Sequence, residues 1–354
     1  MSFPRFATTS LGSLPYTELD RALDSAFALD IPCLPQLPAG GPSEFMLPQA
    51  LEGFPGVGWD ERGACTVDVA AWSAGREALE ARLDAASSSD AWDAFAPSAE
   101  SCRAWRPFLE RVEARAPAFA KAQLAGPFTV CLATRTREGL AVLDVPGLEE
   151  TLLRWVRARA LAMVRALRRA GTTPLFFLDE PGLSAFSPAT PWHPRARRGL
   201  GALVRALQRE GARVGVHCCG NTDWAGLLDA GLDVLSLDVR LSLDAVLEES
   251  GPLARFLDAG ATLALGLIPT EPSATYDVEE LVDAVEVSLE AALPPGYSFE
   301  QLGTRVLLTP ACGLASHSAE AAERILEQLH AARGRFREAL PYRPTAAPRS
   351  FDVN

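Results

Sequence analysis

The sequence predicts a single α/β domain folded as a (β/α)8 (TIM) barrel. From about residue 119 onward, short β-rich segments alternate with amphipathic helical ones. Most of the β-rich segments are nearly continuous apolar runs, which is typical of parallel strands covered on both faces. Two further candidates near the N terminus bring the strands to eight. We therefore expect a closed barrel in preference to an open doubly wound sheet.

The strand and helix candidates follow one another in regular order along the chain. The strand candidates are Phe6–Leu11, Ile31–Leu37, Phe119–Gly126, Pro174–Glu180, Arg213–Cys219, Val234–Val239, Thr262–Pro269 and Arg305–Pro310. The helix candidates between and after them are Tyr16–Leu29, Val145–Ala170, Ala196–Glu210, Asp223–Ala230, Val278–Ala292 and Ser318–Leu340. In the second of these, Leu152, Val156 and Ala160 form an apolar stripe with arginines on the other faces, as expected for a helix packed on a sheet.

The stretch 38–118, between the second and third strand candidates, interrupts this alternation. It is rich in Ala, Ser and Asp, and it contains helical pieces near Gly75–Ala86 and Cys102–Ala114. Segments of this length inside a compact domain are usually functional or disordered. We therefore interpret residues 38–118 as an insertion within one domain spanning 1–354, with a lid over the barrel mouth as its candidate role.

Composition excludes several classes of protein. A chain of 354 residues that is 48% hydrophobic has enough apolar material for a large core. Its formal net charge of −12 repels phosphate backbones and argues against a nucleic-acid partner. The chain has no run of eighteen apolar residues and no signal-peptide pattern at its start, so we expect no membrane partner and a cytoplasmic location. Seven irregularly spaced cysteines argue against a disulfide framework.

Polar residues collect at the predicted C-terminal ends of the strands, where the active sites of barrel enzymes are built. His217 and Cys219 are two residues apart on one strand, so both side chains point to the same side. Together with Cys312 they form a set typical of zinc, and Asp238 would complete a tetrahedron. The alternative is that these are ordinary buried residues. We favour a metal site because Cys312 and Asp238 follow other strands at the same rim.

Two further pairs of residues are candidates for binding or catalysis. Asp179 and Glu180 end an apolar strand, where a carboxylate could bind a substrate ammonium or transfer a proton. The alternative for this pair is a helix N-cap followed by Pro181. Gly12 and Ser13 follow the first strand and offer backbone N–H groups and a hydroxyl to a substrate carboxylate.

Seven motifs resemble, in order, the barrel motifs of the superfamily that contains cobalamin-independent methionine synthase and uroporphyrinogen decarboxylase. They are TTSLGSLP, QLAGPFTV, FFLDEP, VHCCGN, DVLSLDV, GLIPT and LLTPACGLAS. The methionine synthase branch has a His-x-Cys, a Glu about twenty residues later and a Cys in a PxCGL context. These correspond here to His217, Cys219, Asp238 and Cys312, with Asp in place of Glu. Corrinoid-dependent thiol methyltransferases carry His-x-Cys-Gly-Asn, which matches residues 217–221.

The resemblance implies zinc as cofactor and a thiol methyltransferase activity, with homocysteine the favoured acceptor. It implies a methylated corrinoid protein or a methyl-folate as the methyl donor. It also implies that Gly12 and Ser13 bind the carboxylate of the acceptor and that Asp179 binds its amine. Two other functions stay open. One is a metal-free, uroporphyrinogen decarboxylase-like lyase that uses Asp179 or Glu180, and the other is a barrel that holds a metal or a corrinoid partner without turnover.

Overall fold

The computed structural model describes residues 2–89, 91–190, 192–271 and 276–339. The strands of this part of the chain are β1 Ala7–Thr8, β2 Val57–Trp59, β3 Cys65–Val67, β4 Phe119–Ala125, β5 Arg135–Thr136, β6 Thr173–Asp179, β7 Arg213–Cys218, β8 Val234–Asp238, β9 Thr262–Ile268 and β10 Val306–Pro310. Seven of them form one parallel sheet in the order β1-β10-β9-β8-β7-β6-β4. This curled sheet is consistent with a TIM-like barrel, and it aligns the C-terminal ends of its strands at one rim.

Helices follow most strands of the large sheet and cover its outer face. They are α1 Leu19–Phe27, α2 Met46–Leu51, α3 Val69–Ser89, α4 Trp105–Arg115, α5 Pro127–Ala133, α6 Leu148–Arg169, α7 His193–Arg209, α8 Trp224–Leu228, α9 Val239–Glu248, α10 Ser250–Asp258, α11 Val278–Ala292 and α12 Ala319–Ala339. The predicted bounds of α11 match the observed ones, and the end predicted for α12, Leu340, lies outside the described residues. No helix in the described ranges is long and apolar enough to cross a bilayer.

The segment 31–37, predicted as the second strand, lies between the two edges of the large sheet. The Ile31 N–H donates to the Thr8 carbonyl of β1 over 3.0 Å, and the Leu34 N–H donates to the Lys121 carbonyl of β4 over 2.8 Å. The segment forms isolated bridges rather than a continuous strand. It thus occupies the position of an eighth strand with fewer ladder hydrogen bonds than the other seven.

Two prolines explain why that segment is irregular. Pro32 and Pro35 have no N–H group, so a seven-residue stretch that contains both cannot form an unbroken hydrogen-bond ladder. The sequence-based expectation of a regular strand here was wrong for this reason. The bounds of the strands from β4 to β10 in the large sheet agree with the predicted ones to within one residue at each end.

The inside of the large sheet is filled by a second apolar cluster, separate from the core between sheet and helices. Its members are Phe3, Ala7, Leu11, Ile31, Phe119, Leu175, Phe177, Val234, Ala264 and Leu307. Gly215 makes room for one of these side chains, because a Cβ atom there would lie 2.5 Å from the Phe177 ring. The layer above Phe177 holds His217, so the apolar filling ends where the polar rim begins.

The stretch 38–118 contains α2, α3 and α4 and a β-hairpin that the sequence did not predict. In the hairpin β2 pairs antiparallel with β3, which in turn pairs parallel with β5 to form a small second sheet. Much of the stretch packs against α6. The Trp155 indole donates to the Ala50 carbonyl over 3.1 Å, and the Arg159 guanidinium binds the Glu52 carboxylate over 3.0 Å. Its interpretation as an insertion and a lid stays a prediction.

Candidate metal centre

Three of the four predicted metal ligands come together at the rim of the large sheet. His217 is the penultimate residue of β7, Cys219 follows that strand directly, and Cys312 follows β10. An imidazole nitrogen and the two sulfur atoms all lie within 4.8 Å of one another. Within the described ranges, this is the one group of three or more His, Cys, Asp or Glu side chains that is close enough to hold a metal ion.

The imidazole of His217 is held in a defined orientation. Its Nδ1 atom lies 3.0 Å from the hydroxyl of Ser236, which is buried on β8. Its Nε2 atom is buried and has no hydrogen-bond partner in the described part of the chain. When Nδ1 carries the proton and donates it to Ser236, the lone pair of Nε2 is free to bind a metal. A buried nitrogen without a partner is costly, and a metal ion between it and the two sulfur atoms would remove that cost.

The two thiol groups interact directly. A hydrogen bond with Cys312 lowers the pKa of Cys219, although burial opposes this, and the same bond raises the pKa of Cys312 to about 12. The bond thus eases loss of the proton from Cys219 and opposes its loss from Cys312. A cation bound by both sulfur atoms would replace the shared proton and favour two thiolates, as expected at a zinc site. Cys218 is buried on the opposite side of the strand, as predicted, and its thiol contacts the Gly220 carbonyl at 3.3 Å.

A glycine allows the chain that leads to Cys312 to approach the neighbouring strands. A Cβ atom on Gly266 of β9 would lie 2.7 Å from the Leu237 carbonyl oxygen and 2.8 Å from Ala311 Cα. The register between β9 and β10 also shifts next to Pro310. Gly266 belongs to the GLIPT motif and had no role assigned from sequence; without a side chain it lets Ala311, the residue before Cys312, pack against β9.

Asp238, the fourth predicted ligand, is not a member of the group. It ends β8 at the same rim, but its carboxylate accepts a hydrogen bond from the Arg240 N–H over 2.9 Å and caps α9. Burial raises its pKa. In this arrangement Asp238 stabilises the start of a helix, and its role as a ligand stays a prediction.

Asp179 lies beside the group, on the neighbouring strand. It pairs in register with His217, and its Oδ1 atom is buried without a hydrogen-bond partner among the described residues. Burial raises its pKa to about 6, while the charges of Lys121 and His217 act in the opposite direction. Asp179 thus offers a free carboxylate oxygen next to the candidate metal ligands.

Glu180 is directed away from the group. Its carboxylate accepts hydrogen bonds from the N–H groups of Phe128, at 3.0 Å, and Thr129, at 2.7 Å, at the start of α5. Gly126 leaves room for this carboxylate, since a Cβ atom there would lie 2.3 Å from it. Burial raises the pKa of Glu180 to about 7. The sequence allowed a helix-capping role for Asp179 and Glu180. Glu180 has such a role, but it caps α5, which precedes it in the chain, and not a helix that follows it.

The Gly12–Ser13 turn lies against the segment that follows Cys312. The Leu314 N–H donates to the Ser13 carbonyl over 2.9 Å, and a Cβ atom on Gly313 would overlap the Ser13 hydroxyl. Gly12 has a φ of +118°, and a Cβ atom there would lie 2.1 Å from the side-chain amide of Gln123. The turn predicted to bind a carboxylate is thus fixed beside one of the candidate ligands.

Two polar residues inside the barrel were not identified as functional from the sequence. Ser236 orients His217, and Lys121 is buried on β4 beneath the Gly12–Ser13 turn. Each is a polar residue flanked on both sides by apolar residues within a buried strand. That pattern is a usable signal, because a buried polar group needs a partner across the barrel.

The sequence matches no protein-family model and no curated protein. Among solved structures, a methyltransferase from Methanosarcina mazei is similar, with a TM-score of 0.55 and 15% identity over 95% of this chain and 94% of that one. A B12-independent methionine synthase from Shewanella sp. W3-18-1, in complex with selenomethionine, gives a TM-score of 0.49 and 15% identity over 66% of this chain and 67% of that one. The likeness to the Methanosarcina mazei protein shows that the two chains share a fold over nearly their whole lengths.

Proposed function

We propose that this protein is a zinc-dependent methyltransferase that activates a thiol, with homocysteine as the favoured acceptor. One observation carries the proposal: an imidazole nitrogen of His217 and the sulfur atoms of Cys219 and Cys312 lie within 4.8 Å of one another at the strand ends of a TIM-like barrel. In the described part of the chain, the buried Nε2 atom of His217 has no hydrogen-bond partner of its own. Active sites of such barrels lie at this rim. The shared fold with a methyltransferase and the motif resemblance agree with it.

His217, Cys219 and Cys312 would hold the zinc ion, and their nitrogen and sulfur atoms are ligands that zinc prefers. Zinc held there would lower the pKa of a substrate thiol and so supply the thiolate form that methyl transfer needs. Ser236 fixes the tautomer of His217 through Nδ1. A group of three protein donors would fit a catalytic rather than a structural zinc site.

The acceptor's other groups would bind to neighbouring residues of the rim. The Gly12–Ser13 turn would receive the carboxylate, and the free Oδ1 atom of Asp179 would receive the ammonium. The methyl donor in this proposal is a methylated corrinoid protein or a methyl-folate. We also propose that the protein acts in the cytoplasm, because seven free cysteines suit a reducing compartment.

The decisive experiment is elemental analysis of protein purified with zinc available, for the wild type and for Cys312→Ser. We expect stoichiometric zinc in the wild type and a large loss of zinc in the variant. Cys218→Ala is the matched control, because it removes a buried thiol next to the site that does not belong to the group, and it should retain zinc. A wild-type protein that neither contains nor binds zinc would overturn the proposal.

The activity itself requires a separate assay. Zinc-loaded protein should transfer a methyl group from methylcobalamin or methyl-tetrahydrofolate to homocysteine, measured as methionine formed by mass spectrometry. Zinc-loaded protein that is inert towards both donors with a panel of thiols would instead favour a non-catalytic barrel.

A metal-free lyase is the second candidate, and the unpartnered carboxylate oxygen of Asp179 favours it. If the protein is such a lyase, the double variant His217→Ala, Cys312→Ser would retain the lyase activity. Asp179→Asn would abolish it.

A further inference from the structure

Lys121 is the only lysine in this chain, whose 33 basic residues are otherwise all arginine. It lies in the middle of β4, and its side chain is fully buried. No carboxylate lies within salt-bridge distance of it in the described ranges, although its charge acts on the carboxyl of Asp179. Burying an ammonium group without a direct ion pair is costly. Packing alone does not explain a lysine at this position.

The ammonium of Lys121 has three acceptors, and each comes from a different segment. Its Nζ atom lies 3.3 Å from the carbonyl oxygen of Leu11, which follows β1, and 3.2 Å from the side-chain oxygen of Gln123 on β4. The third acceptor is the sulfur of Cys33 in the segment 31–37, at 3.6 Å. An ammonium has three donors, so this arrangement uses all of them. The Phe177 ring covers the group, with its centroid 4.5 Å from Nζ.

These contacts explain why the residue is lysine and not the arginine used elsewhere. A guanidinium is planar and has five donors in a fixed fork, whereas an ammonium is compact and its three donors can rotate. Three acceptors gathered around one point match the ammonium and would leave arginine donors unsatisfied in a buried place.

The same contacts lead directly to the Gly12–Ser13 turn. Leu11, whose carbonyl Lys121 binds, is the residue before Gly12. The Gln123 amide, whose oxygen accepts from Lys121, fills the space above Gly12 and donates to the Leu34 carbonyl over 2.9 Å. Lys121 therefore holds the residue before the turn, and Gln123 packs against Gly12 within it. The Ser13 carbonyl of the same turn binds Leu314 near Cys312.

We propose that Lys121 is a positioning residue: its ammonium fixes the Leu11 carbonyl and thereby holds the Gly12–Ser13 turn in the conformation that receives the carboxylate of a small thiol. The inference rests on the proposed function for the identity of that ligand. It adds a residue that acts through the turn and touches neither the metal ligands nor the reacting sulfur.

The test compares wild type with Lys121→Met, which keeps the length of the side chain and removes its donors. Hydrogen exchange measured by mass spectrometry should show faster exchange of peptides covering residues 10–14 in the variant, with zinc content unchanged. Calorimetry of the zinc-loaded proteins should show homocysteine binding weakened about tenfold, equivalent to ~1.4 kcal/mol. Binding of 3-aminopropane-1-thiol, which lacks the carboxylate, should be weakened less than that of homocysteine. Both are measured well above the pKa of about 6 of Asp179, because the charge of Lys121 also acts on that carboxyl.

A control separates positioning from general loosening of the fold. Leu235→Ala removes a buried side chain of β8 from the core between sheet and helices, so it should lower stability without selective loss of homocysteine binding. Unchanged exchange at residues 10–14 in Lys121→Met, or equal weakening of both thiols, would overturn the proposal. Wild-type protein that binds neither thiol would overturn the proposed function instead, and faster exchange of the turn would then still support Lys121 as its anchor.

A second measurement does not depend on the variant folding. Because Lys121 is the only lysine, protein labelled with ¹³C at lysine Cε gives one lysine resonance. Homocysteine should shift this resonance through the turn, and the thiol without a carboxylate should not. A resonance that responds to neither, in protein that binds homocysteine, would contradict the coupling between Lys121 and the turn.

Discussion

Replacing Ser236 by alanine tests the geometry of the candidate metal centre without touching a ligand. The Ser236 hydroxyl lies 3.0 Å from His217 Nδ1, and Ser236 is 1% exposed. The variant leaves the imidazole in place but removes the group that fixes its tautomer. We expect His217 then to spend part of its time with the proton on Nε2, which cannot bind a metal in that form.

The size of the effect follows from the burial of this contact. Loss of an outer partner of a metal-binding histidine lowers metal affinity about 10- to 100-fold, or ~1.4–2.7 kcal/mol. Because both partners are buried, water does not readily replace the lost hydroxyl, and we expect a value in the upper half of that range. At equal free zinc above the dissociation constants, the stabilisation by zinc should fall by the same free energy.

The assay is a competition titration of zinc against a chromophoric chelator, with thermal unfolding at fixed free zinc as a second readout. Ser242→Ala is the matched control, since Ser242 is 2% exposed and its buried hydroxyl has no hydrogen-bond partner in the described part of the chain. It should bind zinc like the wild type. Unchanged zinc affinity in Ser236→Ala, or the same loss in both variants, would refute the assigned orientation of His217.

Three further variants test other parts of the structure. Glu180→Gln should lower the free energy of unfolding by about 1–2 kcal/mol, because one acceptor for the N–H groups at the start of α5 is lost. Urea unfolding measures this change. Loss of zinc binding in the variant would contradict a purely capping role for Glu180. Gly12→Ala should destabilise by about 1–3 kcal/mol through overlap with Gln123, and it should lower the melting temperature more than Gly171→Ala, whose site is open at a φ of +83°. Asp30→Asn should be less stable than the wild type at neutral pH. Burial raises the pKa of Asp30, but hydrogen bonds from Thr8 and the Arg333 guanidinium outweigh the effect of burial, so the net pKa is lowered from 3.8. The stability that Asp30 contributes is fully present above its pKa in the unfolded chain, and it is lost as the pH falls through its lower pKa in the folded chain. In urea unfolding, the difference between variant and wild type should therefore shrink below about pH 4. A difference that stays constant from pH 7 to pH 3 would contradict this account.

The large sheet could be predicted because its strands are apolar on both faces and separated by amphipathic helices. The exceptions have local causes. The two prolines of the segment 31–37 break its ladder, and α5 is a seven-residue helix with no apolar stripe long enough to be recognised. The hairpin of β2 and β3 was missed because its strands have only three residues each.

The site could be predicted in part, because the residues at the predicted C-terminal ends of the strands are expected at the rim of a barrel before any side-chain contacts are seen. His217, Cys219 and Cys312 were predicted from strand ends and ligand type, and the structure brings them into one group; their role as ligands stays a prediction. For Asp238 and Glu180 the same position at a strand end suits both a site residue and a helix cap, and sequence does not distinguish them. Ser236 and Lys121 were missed because their roles depend on which residues face them across the barrel, and that is set by the register of the sheet.

The candidate ligands come from strands that are neighbours in neither space nor sequence, since β8 and β9 separate β7 from β10. During synthesis, His217 and Cys219 leave the ribosome well before Cys312 does. A partly made chain would therefore hold at most two of the three donors, too few for a tight zinc site. Zinc loading would be a late event that follows synthesis of the last strand, and bound metal would distinguish chains that contain Cys312 from chains that end before it.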